Sequence, residues 1–357
     1  MSKALIAMSG GVDSSVSAAL MLEKGYDCIG VTMKLYSRPE DTEDISGKTC
    51  CSLDDVEDAR AVAQKLGMPH YVFNFQQEFA EQVIDRFVDV YENGGTPNPC
   101  IECNRYLKFA RLNQRAKVLG CDKIVTGHYA CIEQREDGRW LLKKAKNAAK
   151  DQSYVLYFLT QEQLAHTCFP LGVYESKDEI RAIAEKYSFL NAHKGDSQDI
   201  CFVPDGDYVS FIERYTGKQY PCGNFCDLQG NVLGEHKGVI GYTIGQRKGL
   251  GIALGKPMYV CGKCTETNIV YLGDNKDLFS RSLTAHHINL IPFDRIESPM
   301  RLYAKIRYNQ KEEPAMVEQL DDDTLKVTFD RPQRAIARGQ AVVLYDGDVV
   351  IGGGVIE

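Results

Sequence analysis

Apolar and polar positions along the first half of the chain predict strands and helices by turns. Lys3–Met8 is a short apolar run that reads as a strand, followed by a glycine turn and a helix over Asp13–Lys24. Tyr26–Leu35 and Pro69–Phe75 read as further strands, and the helix between them, Asp54–Leu66, carries its alanines and valines on one face. Gln76–Glu92 predicts a long helix, Lys108–Leu119 another, Lys123–Thr126 a short buried strand, and Asp178–Tyr187 a further helix. This alternation predicts an α/β fold with a mostly parallel, doubly wound sheet. After about Asp205 helical periodicity largely disappears. Short alternating runs replace it at Val239–Ile244, Met258–Cys261, Ile269–Leu272, His286–Leu290, Leu302–Ile306, Ala315–Gln319, Thr324–Phe329, Ala341–Tyr345 and Val349–Ile351, with Gly, Asn and Asp turns between them. Such a pattern predicts one or two small β-barrels. The expected division is an α/β domain over 1–205, a central β-rich domain over 206–280 and a C-terminal β-barrel over 281–357.

Composition narrows the class. A chain of 357 residues exceeds what one core usually covers, about 250–300 residues. Hydrophobic content of 44% with 25% charged residues excludes wholesale disorder. No run approaches the roughly 20 apolar residues of a membrane span, and the first residues lack a signal-peptide pattern, so a cytoplasmic protein is expected. Thirteen cysteines are then expected to be reduced, most of them as small buried hydrophobes. Forty-two basic residues against forty-nine acidic ones exclude a simple basic coat for nucleic acid. The acids are segregated, however: Pro39–Asp58 holds eight of them against one lysine. Cys103–Gly120, Gly138–Lys150 and Lys237–Cys264 each hold five cations and no acid. Those stretches offer phosphate contacts, and Tyr129, Tyr154 and Tyr308 offer stacking surfaces for unpaired bases.

The densest chemistry lies after the first strand, in Ala7-Met8-Ser9-Gly10-Gly11-Val12-Asp13-Ser14-Ser15. Two glycines let the backbone approach an anion, and the helix start supplies free N–H groups and the positive end of a dipole. Asp13 is a candidate helix cap or Mg²⁺ ligand. Two other glycine runs fail as nucleotide loops. Gly47-Lys48-Thr49 lacks the earlier glycine of a Walker loop, and Gly249-Leu250-Gly251 has Leu254 where a dinucleotide fingerprint needs a small residue. The string SGGVDSS is the signature of PP-loop ATP pyrophosphatases, which cleave ATP between the α- and β-phosphates.

Two cysteine contexts suit sulfur chemistry. Thr96-Pro97-Asn98-Pro99-Cys100-Ile101-Glu102-Cys103-Asn104 reads as a rigid non-helical loop entering a basic helix, a setting that favours thiolates. Cys201 ends a short polar loop, Asp196–Cys201. Cys50-Cys51 reads as structural or auxiliary, and Cys222, Cys226, Cys261 and Cys264 as β-domain packing rather than a Cys₄ zinc site.

With VTGHYA (125–130), KDQSYVL (150–156), SQDICF (197–202), GEHKG (234–238) and YTIGQRKGLG (242–251), the chain resembles the MnmA family of tRNA-specific 2-thiouridylases over essentially its whole length. The resemblance implies ATP-dependent 2-thiolation of the wobble uridine in tRNAs for Lys, Glu and Gln, through adenylation of the uridine O2 oxygen. It places the ATP phosphates on Ala7–Ser14, with Met33 and Gly127 near the adenosine. The target-base loop falls on Asn98, Pro99 and Cys100, the nucleophile on Cys103 and the persulfide carrier on Cys201, with a Cys103–Cys201 disulfide after transfer. Further tRNA contacts, to the anticodon arm, fall on His128, Lys150, Asp151, Gln152, Arg307, Tyr308 and Gln340. A cysteine desulfurase or a sulfur-relay protein is the implied donor. Well-known members carry aspartate where this chain has Cys100. Three thiols, Cys100, Cys103 and Cys201, could then hold a 4Fe–4S cluster with one iron open to sulfide, a cluster-based alternative to the persulfide route. Two other classes stand beside these: a PP-loop synthetase acting on a small metabolite, and a non-catalytic sulfur carrier or RNA-binding module.

Overall fold

Short β-branched and aliphatic runs form the first sheet of this computed structural model, which describes residues 2–36, 53–195 and 200–357. The chain divides into two compact units, one of Met1–Ile84, Pro99–Pro204 and Gly347–Ile351, the other of Asp85–Asn98, Asp205–Asp346 and Gly352–Glu357.

In the first unit, strands β1 (Lys3–Ala7), β2 (Asp27–Lys34), β3 (His70–Asn74), β4 (Lys123–Val125) and β7 (Thr167–Cys168) form a parallel sheet in the order β3-β2-β1-β4-β7. Helix α1 (Val12–Glu23) buries Val16, Ala18, Ala19, Leu20 and Met21. Its serines and alanines let it lie close to the sheet, in one cluster with Ile6, Val125 and Ala63 of helix α2 (Leu53–Lys65). The predicted helix over Gln76–Glu92 is present as α3 (Gln76–Phe79), a π-helical turn (Ala80–Ile84) and α4 (Asp85–Glu92). A hairpin the periodicity did not reveal, β5 (Cys131–Gln134) and β6 (Trp140–Lys143), pairs with the distant Val349 and Val350. Thr160 and Ser176 start α7 (Gln161–Ala165) and α8 (Lys177–Lys186) with reciprocal capping boxes.

One expectation is overturned here. The stretch after Asn98 is helical: α5 (Pro99–Glu102) runs into a π-helical segment (Cys103–Arg111) and then α6 (Leu112–Val118). Proline suits the first turn of a helix, where its missing N–H has no partner to lose. Pro99 therefore starts a helix rather than forbidding one.

The second unit joins α4 to α9 (Tyr208–Thr216), a helix the sequence pattern missed. Tyr91 stacks on Tyr208 with ring centroids 4.4 Å apart. A four-stranded sheet follows, β10 (Tyr259–Cys264), β11 (Ile269–Gly273), β8 (Gly223–Asp227) and β9 (Val232–His236), in that spatial order. The run Val239–Ile244 is no strand; Val239–Gly241 form a 3₁₀ turn with both apolar side chains buried, so burial rather than pairing explains its hydrophobicity. Strands β12 (Phe279–Leu290), β15 (Leu325–Arg334), β14 (Glu313–Gln319), β13 (Met300–Lys305), β16 (Ala341–Asp346) and β17 (Val349–Ile356) pair in sequence, and β12 pairs back to β17 to close a barrel. Closure removes the exposed edges of the sheet.

Candidate active site

The glycine loop lies at the carboxyl end of β1, where β1 is flanked by β2 on one side and β4 on the other. Ligands of open α/β sheets bind in the crevice at such a switch point. Gly10 has φ +72°, and a Cβ there would lie 2.4 Å from the Asp55 carbonyl oxygen. Glycine is therefore required both by conformation and by the approach of α2. Ser14 Oγ donates to the Gly11 carbonyl (3.0 Å) and accepts from the Ser9 N–H (3.2 Å), which folds the loop over the helix start. The N-cap is Gly11 and no side chain caps it, so the first N–H groups of α1 remain for an anion. Gly127, after β4, touches the same helix start; a Cβ there would meet the Ser14 nitrogen at 2.9 Å. Met8 and Val12 are buried beneath the loop, and Met33, on β2, is buried.

Asp13 does not act as the cap. Both its oxygens accept from Lys177 Nζ at 2.7 Å, and Oδ1 accepts from the Tyr129 hydroxyl at 2.7 Å. The charge of this carboxylate is met by an ammonium, so Asp13 does not fit a Mg²⁺ ligand while Lys177 holds it. The sequence reading missed Lys177, and Tyr129 was expected as a stacking surface. Tyr129 and Tyr154 are buried and unavailable for stacking, while Tyr308 is 36% exposed with Lys305 over its ring. The Ser176 capping box marks the start of α8, but nothing in the sequence shows that Lys177 reaches Asp13, 164 residues away.

A second cluster ties the loop and α2 to Asn191 and Lys194. Asn191 Nδ2 donates to the Gly10 carbonyl (2.8 Å) and to Ser15 Oγ (2.9 Å). Lys194 Nζ holds Asp55 (2.7 Å) and Asp58 (2.6 Å) of α2. Cys201 is half-buried, and Phe202 beside it packs edge-on against Phe79 at 5.6 Å. Cys100 is exposed and Cys103 half-buried. Asn104, next to Cys103, is buried and donates to the Val155 carbonyl (3.3 Å).

Among the described residues, no three His, Cys, Asp or Glu side chains are grouped to hold a metal ion. Cys100, Cys103 and Cys201 are thus not assembled as ligands of an iron–sulfur cluster, nor Cys222, Cys226, Cys261 and Cys264 as a zinc site. Cys50 and Cys51, and the 196–199 part of the Cys201 loop, lie outside the described residues.

Several residues expected at the tRNA are engaged with protein. His128 is buried, its Nδ1 2.7 Å from the Thr126 hydroxyl and its ring beside Phe109 and Phe169. Burial holds its pKa well below the usual histidine value, so the ring is neutral. Asp151 accepts from the Ala145 N–H (2.9 Å) and the Ser153 hydroxyl (2.8 Å), and Gln152 Oε1 from the Tyr129 N–H (2.9 Å). Lys150 is half-buried. Arg307 donates to the Ala335 carbonyl at 2.9 Å. Gln340 donates to the Thr96 and Pro97 carbonyls at 2.9 and 3.0 Å.

Three family models match the chain in order: a tRNA methyl transferase HUP domain over residues 2–205, a tRNA methyl transferase PRC-barrel domain over 209–274, and an aminomethyltransferase β-barrel domain over 280–356. A tRNA-specific 2-thiouridylase MnmA of Clostridioides difficile is 53% identical over 356 residues, 99% of this chain and 98% of the relative. The chain belongs to the MnmA family of tRNA-specific 2-thiouridylases. A second 2-thiouridylase, from Acetivibrio thermocellus, is 51% identical over 99% of both chains. The family is one of enzymes, and the parallel sheet followed by two β-rich regions is its HUP, PRC-barrel and β-barrel arrangement. Among the described residues of this 2-thiouridylase family member, no helix is long and apolar enough to cross a membrane.

Proposed function

We propose that this protein 2-thiolates the wobble uridine of tRNAs for Lys, Glu and Gln, using ATP and a cysteine persulfide. The observation that carries the reading is the uncapped start of α1 beneath a glycine loop, with Lys177 poised on Asp13 at its rim. The triphosphate lies along Ala7–Ser14, with Met33 and Gly127 beside the adenosine. Mg²⁺ enters with the nucleotide. Lys177 is the mobile cation of the site: it exchanges Asp13 for the phosphate oxygens as charge develops there.

The uridine O2 attacks the α-phosphorus, the bond to pyrophosphate breaks, and an O2-adenylated base results. The terminal sulfur of a Cys201 persulfide adds to carbon 2, and AMP leaves. The Cys103 thiolate then attacks the Cys201 sulfur. The sulfur–sulfur bond to the base breaks, the thiolated uridine departs, and a Cys103–Cys201 disulfide remains for an external dithiol to reduce. A cysteine desulfurase or a relay protein reloads Cys201. Asn98, Pro99 and Cys100 lie at the target base. The contacts to the anticodon arm come from Lys150, Arg307 and the exposed Tyr308.

Nucleoside mass spectrometry of tRNA incubated with enzyme, ATP and a persulfide donor tests this. Cys103→Ala and Cys201→Ala are each expected to abolish 2-thiouridine while tRNA binding stays within about threefold of the parent. Full activity of either variant would overturn the assignment.

A further inference from the structure

A glycine loop that binds phosphate has to turn amide donors, not carbonyl oxygens, towards the anion. Two carbonyls of this loop are tied down. The Gly11 oxygen accepts from Ser14 Oγ at 3.0 Å and from Ser15 Oγ at 3.1 Å, both within the SGGVDSS string. The Gly10 oxygen accepts at 2.8 Å from Asn191 Nδ2, 181 positions along the chain. The other hydrogen of that nitrogen goes to Ser15 Oγ at 2.9 Å. A peptide unit is planar and trans, so its N–H points opposite to its carbonyl. Holding the Gly10 oxygen on Asn191 therefore turns the Gly11 N–H the other way, to the open start of α1.

Asn191 is mounted to hold that bond. It is 4% exposed. The turn it opens is closed by the Lys194 N–H on the Asn191 carbonyl at 3.0 Å, and the Lys194 ammonium fastens the turn to Asp55 and Asp58 of α2. Phe189 and Ala192, on either side, are buried in the cluster that includes Val12 and Val16 of α1. Helix α2 bounds Gly10 directly, since a Cβ there would meet Asp55 Cα at 2.7 Å. Among the described residues, the Asn191 side-chain oxygen has no hydrogen-bond partner. An unpaired buried acceptor lowers stability, and an apolar side chain of the same size would not carry one. What asparagine supplies here, and leucine cannot, is the donation to the loop.

We infer that Asn191 is a positioning residue for the nucleotide phosphates: by holding the Gly10 carbonyl it keeps the Gly11 N–H directed at the anion. The inference rests on the ATP reading above and adds to it a residue outside the nucleotide signature. Every group involved lies in the first compact unit.

The test measures the Kd of ATP with Mg²⁺ and the Kd of adenosine on the full-length parent and on Asn191→Leu. Leucine keeps the volume and the neutral charge and donates nothing. The freed peptide unit between Gly10 and Gly11 then turns a carbonyl towards the phosphates, so ATP is expected to bind about thirtyfold more weakly. Adenosine has no phosphate to meet the loop, so its Kd should stay within about twofold of the parent's. If Asn191→Leu does not fold, Asn191→Ala decides, with an expected weakening for ATP of about tenfold and the same constancy for adenosine. Equal losses for ATP and adenosine would show a general packing defect and overturn the inference. A parent that binds ATP no better than adenosine would overturn the ATP reading and the inference together. A parent that binds ATP tightly, with variants that match it, would overturn the inference alone.

Discussion

Asp13 and Lys177 show how much a single contact changes the reading of a motif. The Asp13 carboxylate sits in the first turn of a helix, where a negative charge is favoured by the dipole, yet it is also held by an ammonium largely withdrawn from water. Phosphate binding at the same helix start would compete for that ammonium. Lys177→Met is therefore expected to cut tRNA-dependent pyrophosphate release about a hundredfold at saturating ATP. Unchanged release would remove Lys177 from the site. SGGVDSS was legible because its glycines, hydroxyls and carboxylate are local in sequence. Lys177, Asn191 and Lys194 were not, because their partners lie on other elements more than a hundred residues away.

At the scale of elements, strands and amphipathic helices were legible wherever side-chain periodicity is backed by burial. The failures share a cause. Pro99 reads as a breaker from its chemistry and as a helix start only from its position in the fold. Val239 and Ile240 read as strand because they are apolar, and they are buried in a turn. Lys263 belongs to this scale, since the packing of β10 sets its environment. Its folded pKa, about 8, lies below the 10.5 of an exposed lysine. The unfolded chain therefore binds more protons than the folded one between those values, and stability rises with pH through that window. The cost of the charge is present in full below about 8 and vanishes above about 10.5. Lys263→Met should raise stability at pH 7 by roughly 2 kcal/mol, allowing for partial exposure, and flatten the rise between pH 8 and 10.5. Chemical denaturation at a series of pH values checks this; a variant with the parent's pH dependence would refute it.

Across the whole molecule the sequence arithmetic gives a charge of −7 with acid-free basic stretches. Folding neutralises part of those stretches: Lys143 meets Glu133 and Asp348, Lys117 meets Glu162, and Lys256 meets Asp274. Arg247 and Lys248 remain exposed in the YTIGQRKGLG string. Replacing either with alanine should weaken tRNA binding and lower the slope of log K against log salt by about one. An unchanged slope in binding measured across salt concentrations would show that these cations do not meet phosphate. The sequence by itself determined the family, the α/β-then-β architecture and the nucleotide loop, because those depend on local periodicity and on contiguous motifs. The tertiary structure alone decided which tyrosines are buried, which lysines are ion-paired, and that Gln340 holds the chain before Pro99, because burial and ion pairing are set by residues that only folding brings together.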